Sequence, residues 1–590
     1  MGAFFCFKSD ELIDSKAVRR VFRDKGFLEP EEFELDDMEL WLYKKQLVND
    51  DNFFFGANGN AIFVTGTFVY KGKSYRESIR AVLEDFESNK ISYAEIIGAF
   101  CVIFFVDKKI HILMAQSDLY HVFTNQRETI LTSSFLALIA AQTKKLHLSK
   151  MDFLEQFLIG YNVGPQTSVA GLFQVDNLYR KNSKNPRFSF LTYPSRDVQE
   201  KTVYNNYEEC LNTQLRALRH FYEQIRPLAS DCGVDIGISG GYDSRLNVLL
   251  AHQALGSISG HTHSSVVHHQ EIKIAEIIAN KLSIPLRTIP ISDPLQISEE
   301  TLVANLTDSL YFYDGRTNDT MGTFHDVHTR KYRMAILGNN KLGLNGLGGE
   351  LYRNYDCTAN GGIDFVEWFK RYIMDPHSAA SLDGRDTLQK LIDYVAVKYK
   401  RTLGVSHLDV VNKFMRRRCY ESIWLPYAAG IKSQAENQLA FFVMPFAENS
   451  VRQEALRATP FIGMGGKFEA DMILKLHREV ATIPSTYGFG FDREPLSYII
   501  KSRIRSHVPA TTKNLLGSIK LSLFRGNASE YVQLLKSHSI IGQVLELLRE
   551  LNLPVRLEHF FIKKAYFDRA ISIGYLLYRF SDKIAYENHA

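Results

Sequence analysis

Cysteine is scarce in this sequence, with six residues in 590. The six stand apart at positions 6, 101, 210, 232, 357 and 419, and no two of them form a CxxC pair. Such scattered cysteines argue against a four-cysteine zinc site. They are typical of a protein that works in a reducing compartment.

Long apolar runs and charged tails are also missing. The longest apolar run, residues 99–106, is too short to cross a bilayer. The first residues lack the pattern of a secretory signal, and Cys6 stands where a myristoylation signal needs Ser or Thr. The net charge of +4 is small for this length and there is no basic tail. We therefore expect a cytoplasmic protein with neither a membrane nor a nucleic acid as partner.

The composition is that of a globular protein, with 45% hydrophobic and 23% charged residues, and the length predicts two or three domains. Residues 1–205 are rich in strand patterns. Residues 61–70 predict one strand, and residues 98–107 predict another that turns at Asp107 and returns through residues 110–115. A strand at 130–135 is followed by a short predicted helix at 136–141.

The most informative stretch is the loop at residues 239–244, Ser-Gly-Gly-Tyr-Asp-Ser. An apolar run precedes it and a helix-like run follows, which predicts a strand, a glycine turn and a helix N-terminus. Free backbone N–H groups and the helix dipole then point at one place, as a phosphate requires. Asp243 would repel a phosphate unless a cation lay between them, so we predict that it is a Mg²⁺ ligand.

Strands and helices alternate on both sides of this loop. The pattern predicts a helix at 204–225, a strand at 258–264, a helix at 271–282 and a strand at 285–291. Such alternation gives a doubly wound parallel sheet, whose ligands lie beyond the carboxyl ends of the strands. A second glycine-rich loop, residues 343–350, ends in Glu350. Its spaced glycines would let backbone N–H groups reach a phosphate.

These motifs together resemble the asparagine synthetase-like ATP-dependent amide ligases, which include β-lactam synthetase and lasso-peptide cyclases. The first loop resembles their SGGxDS pyrophosphate loop, the second their Ser-Gly-x-Gly-Ser-Asp-Glu signature, and residues 444–448 their Val-Pro-Phe-Leu-Asp element. The resemblance implies ATP and Mg²⁺ as cofactors, with Asp243 and Glu350 on the metal. It also implies a nucleotide site formed by Ile238, Ser239, Gly240, Gly241, Asp243, Ser244, Thr262, His263, Gly346, Leu347 and Gly348.

The same resemblance implies a two-domain fold of the α/β and α+β type. Residues 1–205 would form a degenerate glutaminase-like domain of the Ntn type, a β-sandwich between helices. Residues 206–505 would form the ATP pyrophosphatase-type synthetase domain, with a doubly wound parallel sheet. Residues 506–590 would add a helical extension of that domain.

The sequence departs from the family at three places. Gly2 stands where the glutaminase has its nucleophilic cysteine, Leu347 stands where a Glu or Tyr works in catalysis, and residues 483–489 lack a lysine that contacts the adenylate. We therefore expect no glutamine hydrolysis. The remaining catalytic candidates are Lys467, which opens a predicted helix, and Tyr352, with two neighbours of Tyr352 as weaker choices: Arg353 and Tyr355.

The expected function is adenylation of a carboxylate, with release of pyrophosphate, followed by displacement of AMP by an amine or ammonia. The partners would be a small-molecule or peptide carboxylate and amine, with a substrate-delivering protein and a homodimer left open. Two alternatives remain at this point: an ordinary asparagine synthetase that uses ammonia, and a non-catalytic nucleotide-binding scaffold. The substrates and the general base stay unassigned.

Overall fold

The structure is a computed structural model of the chain. It describes residues 2–185, 187–194, 203–264, 269–292, 297–316, 324, 326–354, 362–374, 376–463, 465–507, 530–561 and 564–585.

The described residues of the first part of the chain form strands and five helices. The strands are β1 (Ala3–Lys8), β2 (Glu31–Leu35), β3 (Met38–Tyr43), β4 (Phe53–Phe55), β5 (Ala61–Gly66), β6 (Val69–Tyr70), β7 (Ile96–Ile97), β8 (Phe100–Val106), β9 (Lys109–Met114), β10 (Phe123–Asn125), β11 (Ile130–Thr132), β12 (Leu146–His147), β13 (Leu172–Gln174) and β14 (Phe188–Phe190). The helices are α1 (Ser15–Asp24), α2 (Tyr75–Glu87), α3 (Phe135–Ala141), α4 (Lys150–Ile159) and α5 (Asn177–Asn182).

Two sheets form the core of this part. One has six strands in the order β13-β10-β11-β1-β3-β2, and the other has five in the order β14-β9-β8-β5-β4. The alternating side chains of β1 show how the layers stack. Phe4 and Cys6 face the second sheet, whereas Phe5 and Phe7 pack with the residues of α1 and α3. The first sheet therefore lies between helices and the second sheet, because its strands are apolar on both faces.

The predicted hairpin is confirmed. Strands β8 and β9 pair antiparallel with Val106 opposite Lys109, and Asp107 and Lys108 turn the chain with φ of 51° and 58°. The predicted strand at 61–70 is interrupted, because Gly66 has a φ of +85° and separates β5 from β6. Strands β1 to β3 were not predicted, although β1 is central in its sheet.

The Ntn-type assignment of this part stays a prediction. Gly2 is buried, and its backbone N–H donates to the Tyr43 carbonyl at 3.1 Å. Cys6 is 1% exposed, and burial raises the pKa of its thiol well above the ordinary value. Neither residue is placed as an accessible nucleophile.

The middle of the chain alternates helices and strands. In order these are α6 (Tyr207–Cys232), β15 (Val234–Gly237), α7 (Tyr242–Leu255), β16 (Ser259–Ser264), α8 (His269–Leu282), β17 (Leu286–Pro290), α9 (Glu299–Phe312), α10 (Arg330–Leu337) and β18 (Leu342–Leu344). The predicted helices and strands between 204 and 291 are thus confirmed, although α6 continues seven residues beyond its predicted end at 225.

A mainly helical stretch leads to the last strand of this sheet. It contains β19 (Ile363–Asp364), α11 (Phe365–Trp368), a π-helical segment at Phe369–Ile373, α12 (Pro376–Ser381), α13 (Arg385–Leu403), β20 (Val410–Val411), α14 (Lys413–Cys419), a second π-helical segment at Tyr420–Ala429, α15 (Gly430–Leu439) and β21 (Phe441–Val443).

The five strands β17-β16-β15-β18-β21 form one sheet in this order, and all its neighbours pair in parallel. From β15 the chain first moves outward to β16 and β17. It then returns to the other side of β15 with β18 and β21. The point between β15 and β18 is therefore the topological switch point, where doubly wound sheets bind ligands.

Most of the described residues after β21 are helical. The helices are α16 (Asn449–Arg457), α17 (Lys467–Leu476), α18 (Arg478–Thr482), α19 (Leu496–His507), α20 (Glu530–Lys536), α21 (Ser539–Glu550), α22 (Leu557–Phe560) and α23 (Lys564–Arg579), with β22 (Ile584–Ala585) at the end. Strand β22 pairs with β12, and Arg569 donates to the carbonyl of Leu158 in α4. The C-terminal helices thus also pack on the first part of the chain. None of the described helices is long and apolar enough to cross a membrane.

Helix α15 joins the two halves. Gln434 donates to the Ser133 carbonyl at 2.8 Å and accepts from the His121 N–H at 3.0 Å. Asn437 accepts from the Thr67 hydroxyl at 2.7 Å. Because these polar groups are buried, losing one partner would leave the other unsatisfied. The position of α15 is therefore fixed by the first part of the chain.

A buried ion pair makes a second connection. Lys25 Nζ and Asp314 Oδ1 lie 2.7 Å apart, with both side chains 2% exposed. Asp314 also accepts from the Ser134 hydroxyl at 2.6 Å at the start of α3.

We expect Asp314→Asn to lower the free energy of unfolding by about 3 kcal/mol, because Lys25 would remain buried without its countercharge. Urea unfolding followed by circular dichroism measures the loss. Asp386→Asn, at a carboxylate that is 95% exposed, is the control and should leave the free energy of unfolding unchanged. Equal stability of the two variants would contradict the expectation.

Candidate nucleotide site

A cavity of about 280 Å³ opens at the carboxyl end of the parallel sheet. Its walls come from the ends of β15, β16 and β18, from the first turn of α7 and from α15. It contains many of the residues predicted from sequence: Ile238, Ser239, Gly241, Asp243, Ser244, Thr262, His263, Gly346 and Leu347. Gly240 and Gly348 belong to the same two loops without lining the cavity.

The loop between β15 and α7 presents hydroxyl groups and backbone N–H groups together. Ser239 Oγ lies 2.8 Å from Ser244 Oγ, and the Ser239 N–H donates to Ser244 Oγ at 3.2 Å. Gly241 is the N-cap of α7, and no side chain caps the helix. The first N–H groups of a 14-residue helix are thus left for a ligand, which is the arrangement that suits an anion.

The second glycine-rich loop touches the first. A Cβ atom on Gly346 would lie 3.0 Å from the Asp243 carbonyl oxygen and 3.3 Å from the Ser244 nitrogen. Gly348 has a φ of +104°, a conformation that side chains other than glycine rarely adopt. The second loop therefore lies directly against the first one.

Arg353 connects three carboxylates next to the cavity. Its Nη2 lies 2.8 and 2.7 Å from the two oxygens of Asp243. Its Nε lies 3.0 Å from Glu469 Oε2, and its Nη2 lies 3.9 Å from Glu350 Oε1. Glu350 in turn accepts from the Tyr420 hydroxyl at 2.6 Å.

The charges in this cluster do not balance, because one guanidinium faces three carboxylates. Burial raises the pKa of Asp243 to about 6 against the opposing effect of Arg353. Burial and then the charge of Asp243 raise the pKa of Glu469 well above its ordinary value, and Glu469 is 0% exposed. Glu469 lies deepest of the three carboxyls, and its burial therefore disfavours its charged form.

Arg353 lies at the place between Asp243 and Glu350 where a shared Mg²⁺ ion was predicted. Carboxylate oxygens suit that ion, but the Arg353 guanidinium fills the space between the two. Among the described residues, no group of three or more His, Cys, Asp or Glu side chains could hold a metal ion. Their role as metal ligands stays a prediction.

Lys432 is a wall residue that the sequence did not reveal. It projects from α15 into the nucleotide cavity. Burial, followed by the neighbouring charge of Arg333, lowers the pKa of its ammonium group to about 8. Arg333 itself is paired with Glu436, with Nε 2.5 Å from Oε1. A half-buried cation at this place would attract a phosphate. Nothing local in the sequence signals it, because α15 reaches the site only through tertiary packing.

The two predicted catalytic residues lie elsewhere. The side chain of Lys467 is 66% exposed, and its Nζ lies 2.6 Å from Asp471 Oδ2. Tyr352 is 0% exposed and stacks on Phe468 with ring centroids 6.2 Å apart. Neither residue lines the nucleotide cavity. Tyr355 lies outside the described residues.

The two histidines near the site have partners of their own. His261 Nδ1 lies 2.6 Å from Asp235 Oδ2, and Asp235 also bonds Arg287 at 2.6 Å. His263 Nδ1 lies 3.0 Å from the Tyr332 hydroxyl. Both imidazoles are therefore oriented by the protein, at the edge where β16 ends.

We expect Lys432→Gln to weaken ATP binding about tenfold, since a charge-assisted hydrogen bond contributes ~1.5–3 kcal/mol. The ammonium is charged below its pKa of about 8, so the affinity of the wild type should fall as the pH rises through that value. Lys432→Arg should remove this pH dependence. Calorimetric titration with ATP between about pH 7 and 9 tests this. Lys331→Gln, at an exposed lysine of α10, is the control.

We expect Gly346→Ala to weaken ATP binding by about tenfold, because the added methyl group would push the second loop away from the N-terminus of α7. Gly542→Ala is the matched control, since a Cβ atom there meets nothing within 4 Å. That change in a helix should raise stability by ~0.5–1 kcal/mol and leave ATP affinity unchanged. Normal ATP affinity of Gly346→Ala would show that the loop contact is unimportant.

Comparison with known protein families agrees with this geometry. Residues 216–315 match the family model of NAD synthase, a stretch that includes β15, the loop at 239–244, β16, α8 and β17. A search of curated proteins finds no match for the chain. NAD synthases are PP-loop ATP pyrophosphatases related to the C-terminal domain of asparagine synthetase. The matched stretch is thus similar to the ATP-binding domain of the PP-loop ATP pyrophosphatases.

Proposed function

We propose that this protein is an ATP-dependent ligase that forms an amide bond by adenylating a carboxylate. The observation that carries the proposal is the pair of glycine-rich loops, which meet at the switch point of a parallel sheet. Ser239, Ser244 and the N-terminus of α7 face the cavity on one side, and Gly346 on the other. A triphosphate held there would be surrounded by N–H and O–H donors, with Lys432 as the nearby cation.

The reaction has two steps. An oxygen of the carboxylate attacks the α-phosphorus of ATP, and pyrophosphate leaves with the electron pair of the broken bond. An amine then attacks the acyl carbon, AMP leaves, and the nitrogen gives up a proton. A bare carboxylate is a poor electrophile, so the first step is required. The donors around the phosphates stabilise the negative charge that moves to the leaving group.

Glutamine is not the proposed nitrogen source. The buried backbone of Gly2 and the buried thiol of Cys6 support this, since a glutaminase nucleophile must be reachable. An amine or ammonia from solution, or an amine of the substrate itself, would then attack the adenylate. Leu347 cannot accept a proton, which favours a product other than asparagine.

A second candidate is a nucleotide-binding protein without chemistry. The observation in its favour is Arg353, which occupies the space between Asp243 and Glu350 where the family resemblance implies Mg²⁺. A site closed by a guanidinium could hold a nucleotide without turning it over. A substrate-delivering protein, a homodimer and a cytoplasmic location stay predictions.

ATP–pyrophosphate exchange tests the first candidate. We expect exchange that depends on one carboxylate from a panel of amino acids, sugar acids, aromatic acids and peptides. Asp243→Asn should reduce the exchange rate by about 100-fold or more, since Arg353 would lose its main partner and the phosphate loop its fixed position. Asp107→Asn, in the exposed turn between β8 and β9, is the control and should exchange at the wild-type rate.

The outcomes separate the two candidates. Exchange with an acid, lost in Asp243→Asn, supports the ligase. ATP binding without exchange across the whole panel supports the binding protein instead. Exchange with aspartate alone would support an asparagine synthetase that uses ammonia.

A further inference from the structure

A second cavity, of about 330 Å³, lies on the far side of the Asp243–Arg353 ion pair. Glu350 and Arg353 line it, whereas Asp243 lines the nucleotide cavity. The two cavities are therefore separated by one ion pair whose atoms are 2.7 Å apart. A ligand in the second cavity could present one end to the nucleotide. The volume falls in the lower range of small-molecule sites.

The wall of this cavity is aromatic to an unusual degree. Six aromatic side chains contribute to it: Tyr161, Trp368, Tyr372, Tyr399, Tyr420 and Trp424. The rings of Tyr420 and Trp424 are stacked with centroids 5.0 Å apart and planes 14° apart. Flat aromatic faces bind most favourably to a ligand that itself contains an aromatic ring, because the rings can stack.

The polar groups of the wall are mainly donors. Trp368 is 2% exposed and Arg417 is 6% exposed. The indole N–H of Trp368, and Nε and Nη1 of Arg417, have no hydrogen-bond partner among the described residues. Burial, followed by the charge of Arg416, lowers the pKa of Arg417 to about 9. Buried donors without acceptors favour a ligand that carries oxygen acceptors and a negative charge.

The backbone of the wall is also exceptional. The described residues contain two π-helical segments, Phe369–Ile373 and Tyr420–Ala429, and both line this cavity through Tyr372 and Trp424. Such segments are rare, and proteins often use them at functional sites. Both of them lie here around one cavity.

Other acids fit the wall less well. Aspartate would leave the aromatic faces in contact with water. A sugar acid would need several acceptors for its hydroxyl groups, but Glu350 is the one carboxylate among the described wall residues, and one of its oxygens already accepts from Tyr420.

We propose that the second cavity binds the carboxylate substrate of the ligase, and that this substrate is an aromatic carboxylic acid. The inference rests on the proposed function for its chemistry, but binding of the acid does not depend on it. The ring would lie among the six aromatic side chains, with its carboxylate towards the Asp243–Arg353 pair. That carboxylate would attack the α-phosphorus of ATP, pyrophosphate would leave, and an amine would then displace AMP.

Kinetics of ATP–pyrophosphate exchange test this at saturating ATP, with benzoate, 4-hydroxybenzoate, phenylalanine and tryptophan beside aspartate and glucuronate. We expect exchange with at least one aromatic acid. Trp424→Ala should raise the KM for that acid about tenfold and leave the KM for ATP within about twofold, because stacking serves the acid alone. Trp424→Phe should have a KM for the acid close to that of the wild type. Phe55→Ala, at a ring that is 54% exposed in the first part of the chain, is the control.

Calorimetric titration of the same acids without ATP separates the two proposals. Exchange with aspartate or glucuronate and not with aromatic acids would overturn the aromatic assignment while the ligase stands. An aromatic acid that binds the wild type but not Trp424→Ala, with no exchange, would support the cavity and overturn the ligase. If aromatic acids neither bind nor support exchange, the inference is overturned. It is also overturned if Phe55→Ala raises the KM for the acid as much as Trp424→Ala does.

Discussion

The ion pair between Arg353 and Asp243 is the interaction on which the site depends. It joins the first turn of α7 to the loop after β18, and the contact of Arg353 with Glu469 adds α17. Breaking one partner of a buried pair costs ~3–5 kcal/mol, because the remaining charge stays buried. The Arg353 guanidinium therefore holds α7, α17 and the loop after β18 together. The same ion pair holds the two glycine-rich loops against each other. It also forms the boundary between the nucleotide cavity and the aromatic cavity.

The nucleotide site is built by both halves of the chain. Helix α15 supplies Lys432 to the cavity, but its opposite face is fixed by buried hydrogen bonds from Gln434 and Asn437 to the first part of the chain. The first part of the chain, in which Gly2 and Cys6 are buried, thus has a structural role. It holds α15 so that Lys432 lines the cavity, although none of its own described residues lines that cavity.

Local sequence patterns were sufficient to predict a feature where the functional side chains and the turn residues are adjacent in the chain. The loop at 239–244 was predicted because glycines, hydroxyls and a following helix are adjacent in sequence, and the structure shows that arrangement. The hairpin of β8 and β9 was predicted for the same reason. The Mg²⁺ assignment of Asp243 came from its position in a loop suited to a phosphate, whereas that of Glu350 and the catalytic roles of Lys467 and Tyr352 came from resemblance. The structure does not bring the last two to the cavity.

The sequence by itself determined the parallel α/β core and the two glycine-rich loops, because each depends on residues within a short window. Only the tertiary structure decided which basic side chain lies beside which acidic side chain and which of them enter the cavity. Arg353 faces Asp243 across 110 positions, and Lys432 enters the cavity from a helix that the first part of the chain holds. The aromatic cavity likewise collects rings from Tyr161 to Trp424. Such groupings follow from packing, which no local pattern encodes.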